Sequence, residues 1–166
     1  MESIVIMGVS GCGKSTVGAA LADVLALPLI EGDDFHPPEN VRKMRAGQPL
    51  QDADRVGWLQ TLASELARHP DGAVLTCSAL KLAYRDVLRH ASPGLRFVYL
   101  ELSREESQRR VAQRGKSHFF NAGLVDSQFE ALETPSGETL VLTVDGTAPC
   151  ESIVAEAATW VRPESA

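Results

Sequence analysis

The sequence is poor in cysteine, and no two of its cysteines are close enough to suggest a bound metal. Cys12, Cys77 and Cys150 are widely separated, and no CxxC motif or Cys/His cluster occurs. This spacing argues against a structural zinc site. An odd number of isolated cysteines also favours a reduced, intracellular protein over one held by disulfides. We therefore expect small, mostly buried thiols.

Basic residues are also in deficit, and no long hydrophobic run is present. The chain has 16 Lys and Arg against 22 Asp and Glu, which gives a net charge of −6. This balance argues against a nucleic-acid partner, because affinity for a phosphate backbone requires many cationic side chains. It does not exclude a phosphate ligand, for which a few local cations suffice. The apolar segment at residues 4–7 is too short for a signal peptide or a membrane span, so we expect a cytoplasmic protein without membrane contact.

Short apolar segments alternate with helical patterns along the 166 residues. Strands are predicted over residues 3–7, 28–30, 73–77, 97–100 and 140–144. Helices are predicted over residues 14–26, 56–68, 82–90 and 153–161, after Ser103, and as a short helix within residues 36–50. Strands that alternate with helices indicate a mainly parallel sheet covered on both faces. We predict one α/β domain over residues 1–166, folded as a three-layer sandwich with a central parallel sheet.

A phosphate-binding motif follows the first predicted strand. The segment Gly8-Val-Ser-Gly-Cys-Gly13-Lys14-Ser15 matches G-x-x-x-x-G-K-[ST] and precedes an amphipathic helix, which is the context that this motif requires. Its backbone N–H groups and the helix N-terminus can surround phosphate oxygens. We expect Lys14 to reach the β- and γ-phosphates, Ser15 to bind Mg²⁺, and Thr16 to cap or pack in the first turn. The predicted nucleotide-binding residues are Gly8, Ser10, Gly11, Cys12, Gly13, Lys14, Ser15 and Thr16.

The motif alone does not distinguish a kinase from a GTPase or an ATPase. No Asn-Lys-x-Asp sequence that would read guanine is present, nor are four apolar residues ending in Asp-Glu. Instead, the second predicted strand ends in Glu31-Gly-Asp33-Asp34-Phe-His36. Ligands bind at strand ends in open α/β sheets, and an acidic residue there can hold Mg²⁺ or accept a proton from an attacking hydroxyl. We favour such a role for Asp33, whereas an exposed acidic turn remains an equal alternative for Asp34.

Further motifs in the same order extend the comparison well beyond the phosphate loop. They are Glu31-Gly-Asp-Asp-Phe-His-Pro37, Asn40-Val-Arg-Lys-Met44, Gly47-Gln-Pro-Leu50, Asp52-Ala-Asp-Arg55, Cys77-Ser-Ala-Leu-Lys81, Tyr84-Arg-Asp86, His118-Phe-Phe120 and Ser127-Gln-Phe129. With the phosphate loop, this series resembles the small gluconate kinases (gluconokinases) of the P-loop family. The resemblance runs from the first strand to about residue 135.

This resemblance implies a fold like that of the nucleoside-monophosphate kinases. A substrate-binding insertion is expected at about residues 34–55 and a mobile lid at about residues 114–124. The implied reaction is ATP plus D-gluconate giving ADP plus 6-phosphogluconate, with Mg²⁺, which feeds the pentose phosphate pathway. Family members are typically dimers, so a homodimer is expected.

The resemblance and the residue chemistry together suggest roles within the site. Asp33 is the candidate that orients the 6-hydroxyl and accepts its proton, although phosphoryl transfer depends mainly on positioning and charge neutralisation. The carboxylate and hydroxyls of gluconate need a cation and several hydrogen-bonding groups. The candidates, which all lie in matching motifs, are His36, Arg55, Lys81 and Arg85. A solvated basic helix face is the alternative for Lys81 and Arg85, and a structural histidine is the alternative for His36.

Two arginines lie near the expected lid. Arg110 and Arg114 are four residues apart on a predicted helix and therefore face the same way. We predict that they act with Lys14 and Asp33 in catalysis by closing over the transferring phosphate, which excludes water. An ordinary charged helix that ends in a flexible loop is the alternative. The spacing from Arg114 to His118 is one residue longer than the family pattern, so no role is assigned to Lys116 or His118.

Other functions are compatible with parts of this pattern. A shikimate kinase also phosphorylates a hydroxylated carboxylic acid, but the order of motifs after Asp33 favours gluconate. A nucleoside monophosphate kinase fits less well, because the insertion is short and acidic. A nucleotide-dependent switch protein would hydrolyse ATP slowly and without response to small acids.

Overall fold

A five-stranded parallel sheet forms the centre of the computed structural model, which describes residues 1–114 and 122–162. The strand order is β2-β3-β1-β4-β5, and all four neighbouring pairs are parallel. The strands are β1 (Ile4–Met7), β2 (Leu29–Glu31), β3 (Val74–Thr76), β4 (Arg96–Glu101) and β5 (Val141–Asp145). The predicted parallel sheet is therefore confirmed.

Helices cover both faces of this sheet. They are α1 (Lys14–Leu25), α2 (Pro38–Arg45), α3 (Asp52–Ala67), α4 (Leu82–Ala91), α5 (Arg104–Arg114), α6 (Ala122–Ala131) and α7 (Cys150–Val161), and a 3₁₀ turn spans Gly32–Phe35. Alternate residues of the strands point to opposite faces. Ile4 and Ile6 of β1 pack in a cluster with α1 and α7, whereas Val5 and Met7 pack in a second cluster with α3 and α4. This alternation produces the three layers.

Two elements differ from the sequence prediction. Helix α3 begins at Asp52, four residues before the predicted start at Val56, because Gln51 and Asp54 form a capping box. The Gln51 backbone N–H donates to Asp54 Oδ2 at 2.8 Å. Helix α6 was not predicted as a helix, although the motif at Ser127 lies within it. The insertion expected at residues 34–55 contains α2 and the first turn of α3.

Candidate functional site

The carboxyl ends of β1, β2 and β3 surround a cavity of about 330 Å³. The loop after β1 forms one side, and the 3₁₀ turn after β2 and the start of α3 form the other. Its lining residues are Ser10, Gly11, Gly13, Lys14, Ser15, Thr16, Asp33, His36, Met44, Gln48, Pro49, Leu50, Arg55, Trp58, Ser78, Val111, Leu124, Ser127 and Gln128. The topology thus brings together residues that are more than 100 positions apart in sequence.

The phosphate-binding loop has the backbone that its glycines predict. Gly8, Gly11 and Gly13 have positive φ values of 148°, 80° and 94°. A Cβ atom on Gly8 would lie 2.9 Å from the Leu100 carbonyl oxygen, so the loop can follow this path only with glycine there. The N–H groups of residues 14–16 begin α1 and therefore have no intrahelical acceptor. The loop consequently presents free N–H groups and a helix N-terminus to the cavity, as an anion site requires.

The Lys14 side chain folds back onto this loop and bonds to its carbonyl oxygens. Its Nζ atom donates to the Gly8 carbonyl oxygen at 3.0 Å and to the Val9 carbonyl oxygen at 3.2 Å. The ammonium group therefore sits over the same nest of backbone groups that is shaped for phosphate. A positive charge at this point adds to the helix N-terminus in attracting an anion.

A carboxylate lies beside the predicted magnesium ligand. Ser15 Oγ donates to Glu31 Oε2 at 3.0 Å, and Thr76 Oγ1 donates to the same oxygen at 2.7 Å. Glu31 ends β2, and the sequence pattern assigned it no role beside Asp33 of the same motif. Its position at a strand end was the signal available. Ser15 and Glu31 together offer the hard oxygen ligands that Mg²⁺ prefers.

Among the residues that the structure describes, no group of three or more His, Cys, Asp or Glu side chains could by itself hold a metal ion. Mg²⁺ usually takes one or two protein ligands together with substrate phosphates and waters.

Asp33 lies on the 3₁₀ turn directly after β2, opposite the phosphate-binding loop. The turn is fixed at Gly32, whose N–H donates to Thr76 Oγ1 at 3.3 Å and whose carbonyl accepts from Trp58 Nε1 at 2.8 Å. A Cβ atom on Gly32 would lie only 2.2 Å from the Thr76 carbonyl oxygen. Glycine therefore lets β2 approach β3 closely and sets the position of the next residue.

The Asp33 carboxylate lines the cavity and is open to solvent. Its side chain is 56% exposed. Desolvation within the cleft raises the pKa of Asp33 above 3.8, with a further increase from Asp34 and an opposing decrease from Lys14. A carboxylate with a raised pKa is a better proton acceptor than an ordinary surface aspartate, as the predicted role requires.

His36 is held rigidly at the edge of the cavity. Its ring stacks on Trp58 with a centroid distance of 4.2 Å, and its Nε2 atom lies 3.8 Å from Asp33 Oδ1. Burial, reinforced by the charge of Arg55, lowers the pKa of His36 to about 4. His36 is therefore neutral at pH 7. The packed ring fits a structural histidine, and its place in the cavity lining also fits a histidine that binds substrate.

Arg55 provides the cation of the cavity on the side away from the phosphate loop. Its Nη1 atom donates to the Leu50 carbonyl oxygen at 3.0 Å and to Tyr84 Oη at 3.2 Å. Its Nε and Nη2 atoms have no acceptor among residues 1–114 and 122–162. The guanidinium is thus oriented by the protein and keeps donors available for a carboxylate.

Lys81 does not line the cavity, although it was predicted to bind substrate. Its Nζ atom donates to both Asp52 oxygens, at 2.9 and 3.2 Å, and Tyr84 Oη also donates to Asp52. Since Tyr84 contacts Arg55, Lys81 lies behind the cavity wall and helps to fix it.

Arg85 is buried in the structure, which corrects its predicted place in the substrate site. Its side chain is fully inaccessible to solvent and makes an ion pair with Glu138 at 2.7 Å. Further hydrogen bonds run to the Ala79 and Glu133 carbonyl oxygens, at 2.7 and 2.9 Å. The helical position is as predicted, but α4 turns this face toward the segment after α6. A buried guanidinium that is held by these protein acceptors and does not line the cavity is not available to gluconate.

Arg110 contacts the outer side of the phosphate-binding loop. Its Nη1 atom donates to the Gly11 carbonyl oxygen at 3.0 Å, its Nη2 atom to the Gly146 carbonyl oxygen at 3.2 Å, and its Nε atom to Glu106 at 2.9 Å. Arg114 ends α5, and its side chain lies outside the described part of the chain, as do Lys116 and His118. The predicted closure of Arg110 and Arg114 over the phosphate therefore stays a prediction.

A second set of contacts, which the sequence did not indicate, links the helices beside the expected lid to the phosphate-binding loop. Gln128 Oε1 of α6 accepts from the Ser10 N–H at 2.6 Å and from Ser10 Oγ at 2.9 Å. Ser107 Oγ of α5 donates to the Ser10 carbonyl oxygen at 2.6 Å. Both side chains are buried. The motif at residues 127–129 contained the signal, but nothing local relates it to Ser10.

Known proteins resemble this chain in sequence and in fold. A family model described as an AAA domain matches residues 4–135. A thermoresistant gluconokinase from Escherichia coli is 43% identical over 155 residues, which cover 91% of this chain and 88% of that protein. The crystal structure of a gluconokinase from Sinorhizobium meliloti has a TM-score of 0.87 at 47% identity, with 95% and 90% of the two chains covered. Shikimate kinase from Aquifex aeolicus has a TM-score of 0.67 over 95% and 94%, but its 16% identity shows the fold alone.

Proposed function

The chain belongs to the gluconokinase family of P-loop kinases, and from that premise we propose that it transfers the γ-phosphoryl group of ATP to the 6-hydroxyl of D-gluconate. The products are ADP and 6-phospho-D-gluconate, a substrate of the pentose phosphate pathway. The proposal includes a cytoplasmic, homodimeric enzyme, as expected from the family. No helix within the described residues is long and apolar enough to cross a membrane.

One observation carries the proposal. A single cavity has phosphate-binding N–H groups and Lys14 on one side, and Asp33, His36 and Arg55 on the other. A nucleotide phosphate and a polyhydroxy acid can therefore meet within it. Phosphoryl transfer depends mainly on positioning the two reactants and on neutralising charge, so this arrangement is what the chemistry needs.

The phosphate-binding loop is proposed to hold ATP, with Lys14 against the β- and γ-phosphates. Ser15 would bind Mg²⁺ directly, and Glu31 would hold the Ser15 hydroxyl and the water shell of the ion. When bound, Mg²⁺ neutralises charge on the transferring phosphate. Ser10 is a support for the loop in this proposal, because Gln128 occupies its N–H group.

Gluconate is proposed to lie between Asp33 and Arg55. Asp33 orients the 6-hydroxyl and receives its proton, while Arg55 binds the carboxylate with its Nε and Nη2 donors. Neutral His36 provides a further hydrogen-bonding group beside Asp33. Lys81 and Arg85 are left out of this substrate site, because Lys81 is paired with Asp52 and Arg85 is buried with Glu138.

The first test is ADP production from Mg²⁺-ATP with D-gluconate, and in parallel with shikimate, glycerate, glucose and nucleoside monophosphates. We expect a large stimulation by gluconate alone. Phosphorus–proton correlation NMR of the product should connect the new phosphate to the protons on carbon 6. Stimulation by another acid would show that gluconate is not the substrate, while the kinase mechanism would still hold. If no acceptor stimulates ADP production while ATP still binds, the chain is a nucleotide-dependent switch and the proposal is wrong.

A further inference from the structure

A buried asparagine lies behind His36, on the side away from the cavity. Asn40 belongs to α2 and is only 2% exposed. Its side-chain Nδ2 atom lies 2.9 Å from the Asp54 carbonyl oxygen and 3.2 Å from His36 Nδ1. One amide group therefore contacts both a backbone acceptor in α3 and the imidazole ring.

The orientation of this amide follows from the chemistry of its neighbours. A backbone carbonyl can only accept hydrogen bonds, so the NH₂ end of Asn40 must face Asp54. Turning the amide by 180° would set its oxygen against that carbonyl oxygen and lose the contact. The two hydrogens on Nδ2 then have two acceptors, the Asp54 carbonyl oxygen and His36 Nδ1. It follows that His36 Nδ1 carries a lone pair and no proton.

The remaining nitrogen of His36 must therefore carry the proton. Burial keeps the pKa of His36 at about 4, so the ring is neutral and has a single N–H at pH 7. The protonated atom is Nε2, which lies 3.8 Å from Asp33 Oδ1. A lone pair at this atom would repel the carboxylate, whereas an N–H group attracts it.

Asp54, whose carbonyl oxygen orients Asn40, is itself held in place by hydrogen bonds. Asp54 lies in the first turn of α3, where its side chain accepts from the Gln51 N–H at 2.8 Å and pairs with Lys43 at 2.9 Å. On the other side of His36, Trp58 stacks against the ring and donates to the Gly32 carbonyl. A continuous set of contacts thus leads from the N-terminus of α3 to the turn that carries Asp33.

We propose that Asn40 is a positioning residue that holds His36 in the Nε2–H tautomer, so that the histidine presents a donor to Asp33 and to the acceptor substrate. The catalytic consequence rests on the proposed function, whereas the tautomer does not. Asn40 itself does not line the cavity and so would touch neither nucleotide nor substrate. Its hydrogen bond to Nδ1 determines which nitrogen of the His36 ring carries the hydrogen.

The tautomer can be read directly from the ¹⁵N-labelled wild-type protein by a two-bond proton–nitrogen correlation spectrum at pH 7. His69 and His90 serve as internal references, because their Nδ1 atoms each lie 2.8 Å from a backbone carbonyl oxygen and must carry a proton. We expect the opposite pattern for His36, with an unprotonated Nδ1 and a protonated Nε2. The His36→Gln variant assigns its signals. A protonated Nδ1, or averaged shifts for the two nitrogens, would overturn the proposal.

Kinetics of Asn40→Ala test the consequence. We expect kcat to fall by about tenfold to a hundredfold, as when a group that orients an active-site side chain is lost, while KM for ATP stays within about twofold. The matched control is Glu39→Ala, which changes an exposed side chain of α2 directly beside Asn40 and should preserve both kcat and the tautomer.

Wild-type kcat together with an unchanged His36 spectrum in Asn40→Ala would refute the proposal. If this variant does not fold, the wild-type spectrum still decides it. Lack of gluconate-dependent turnover in the wild type would contradict the proposed function instead, without altering the spectrum.

Discussion

At the scale of single residues, the site separates side chains that face the cavity from those that support it. Asp33, His36 and Arg55 line the cavity, whereas Lys81 and Arg85 were predicted beside them and lie behind or away from it. The two arginines differ in their partners. Within residues 1–114 and 122–162, Arg55 Nε and Nη2 have no acceptor, while Arg85 is enclosed by Glu138 and backbone carbonyls. Residue type alone does not distinguish these situations.

Asp33→Asn should lower kcat by about a hundredfold or more while leaving nucleotide affinity nearly unchanged. It should also stabilise the protein at pH 7. Because the pKa of Asp33 is raised in the folded state, folding disfavours its ionised form, so stability falls as pH rises from about 3.8 through the folded pKa. Thermal unfolding at pH 7 and at pH 3 checks this: the gain in Tm should disappear at the lower pH. The neighbouring Asp34→Asn is the control, and equal losses of kcat in both variants would contradict the role of Asp33.

Arg55→Met should weaken substrate binding, whereas Arg85→Met should lower stability. Arg55→Met should raise KM for gluconate by about tenfold or more, with little change in stability, because a charged hydrogen bond to the substrate is lost. Arg85→Met should lower the free energy of unfolding by about 3 kcal/mol, since one partner of a buried ion pair is removed. Denaturant unfolding and steady-state kinetics measure both. A raised KM for gluconate in stable, folded Arg85→Met would restore the sequence-based prediction.

At the scale of elements, the helices on either side of the expected lid are bonded to the phosphate-binding loop. Helix α6 contacts Ser10 through Gln128, and α5 contacts it through Ser107 and contacts Gly11 through Arg110. Any movement of these helices must therefore strain the loop that holds phosphate. This arrangement couples the phosphate-binding loop to α5 and α6.

Gln128→Ala should raise KM for ATP by about tenfold and leave KM for gluconate within about twofold. The substitution leaves the Ser10 N–H without its acceptor in a buried position, which costs about 1–3 kcal/mol and loosens the loop. Gln108→Ala is the control, because Gln108 Nε2 bonds Asp126 at 3.1 Å between the same two helices at an exposed position. Equal values of KM for ATP in the two variants would show that the contact between α6 and Ser10 does not support the loop.

At the scale of the whole molecule, the strand order creates the site. Since β1 lies between β3 and β4, and β3 lies beside β2, the ends of β1, β2 and β3 are adjacent. The phosphate-binding loop after β1 therefore faces Glu31, which ends β2, and Asp33, which follows it, although β1 and β2 are not adjacent in the sheet. Two separate apolar clusters, one on each face of the sheet, fix this arrangement.

Ligand binding should stabilise the whole fold. A non-hydrolysable ATP analogue with Mg²⁺ at a hundred times its Kd should add about 2.7 kcal/mol to the free energy of unfolding, which differential scanning fluorimetry detects as a rise in Tm. In Glu31→Gln, we expect the part of this rise that depends on Mg²⁺ to be largely lost and the part caused by nucleotide alone to remain. An unchanged Mg²⁺ dependence would remove Glu31 from the proposed ion site.

The sequence by itself determined the fold class, the phosphate-binding loop and the family. These features depend on local patterns, namely apolar periodicity and glycine, lysine and serine at fixed spacing, and the structure and the relatives confirm them. Tertiary structure alone decided which candidates share the cavity. The burial of Arg85, the contact of Glu31 with Ser15 and the link from Gln128 to Ser10 join residues 16 to 118 positions apart. Such contacts depend on how helices rotate and pack against the sheet, which no local pattern specifies.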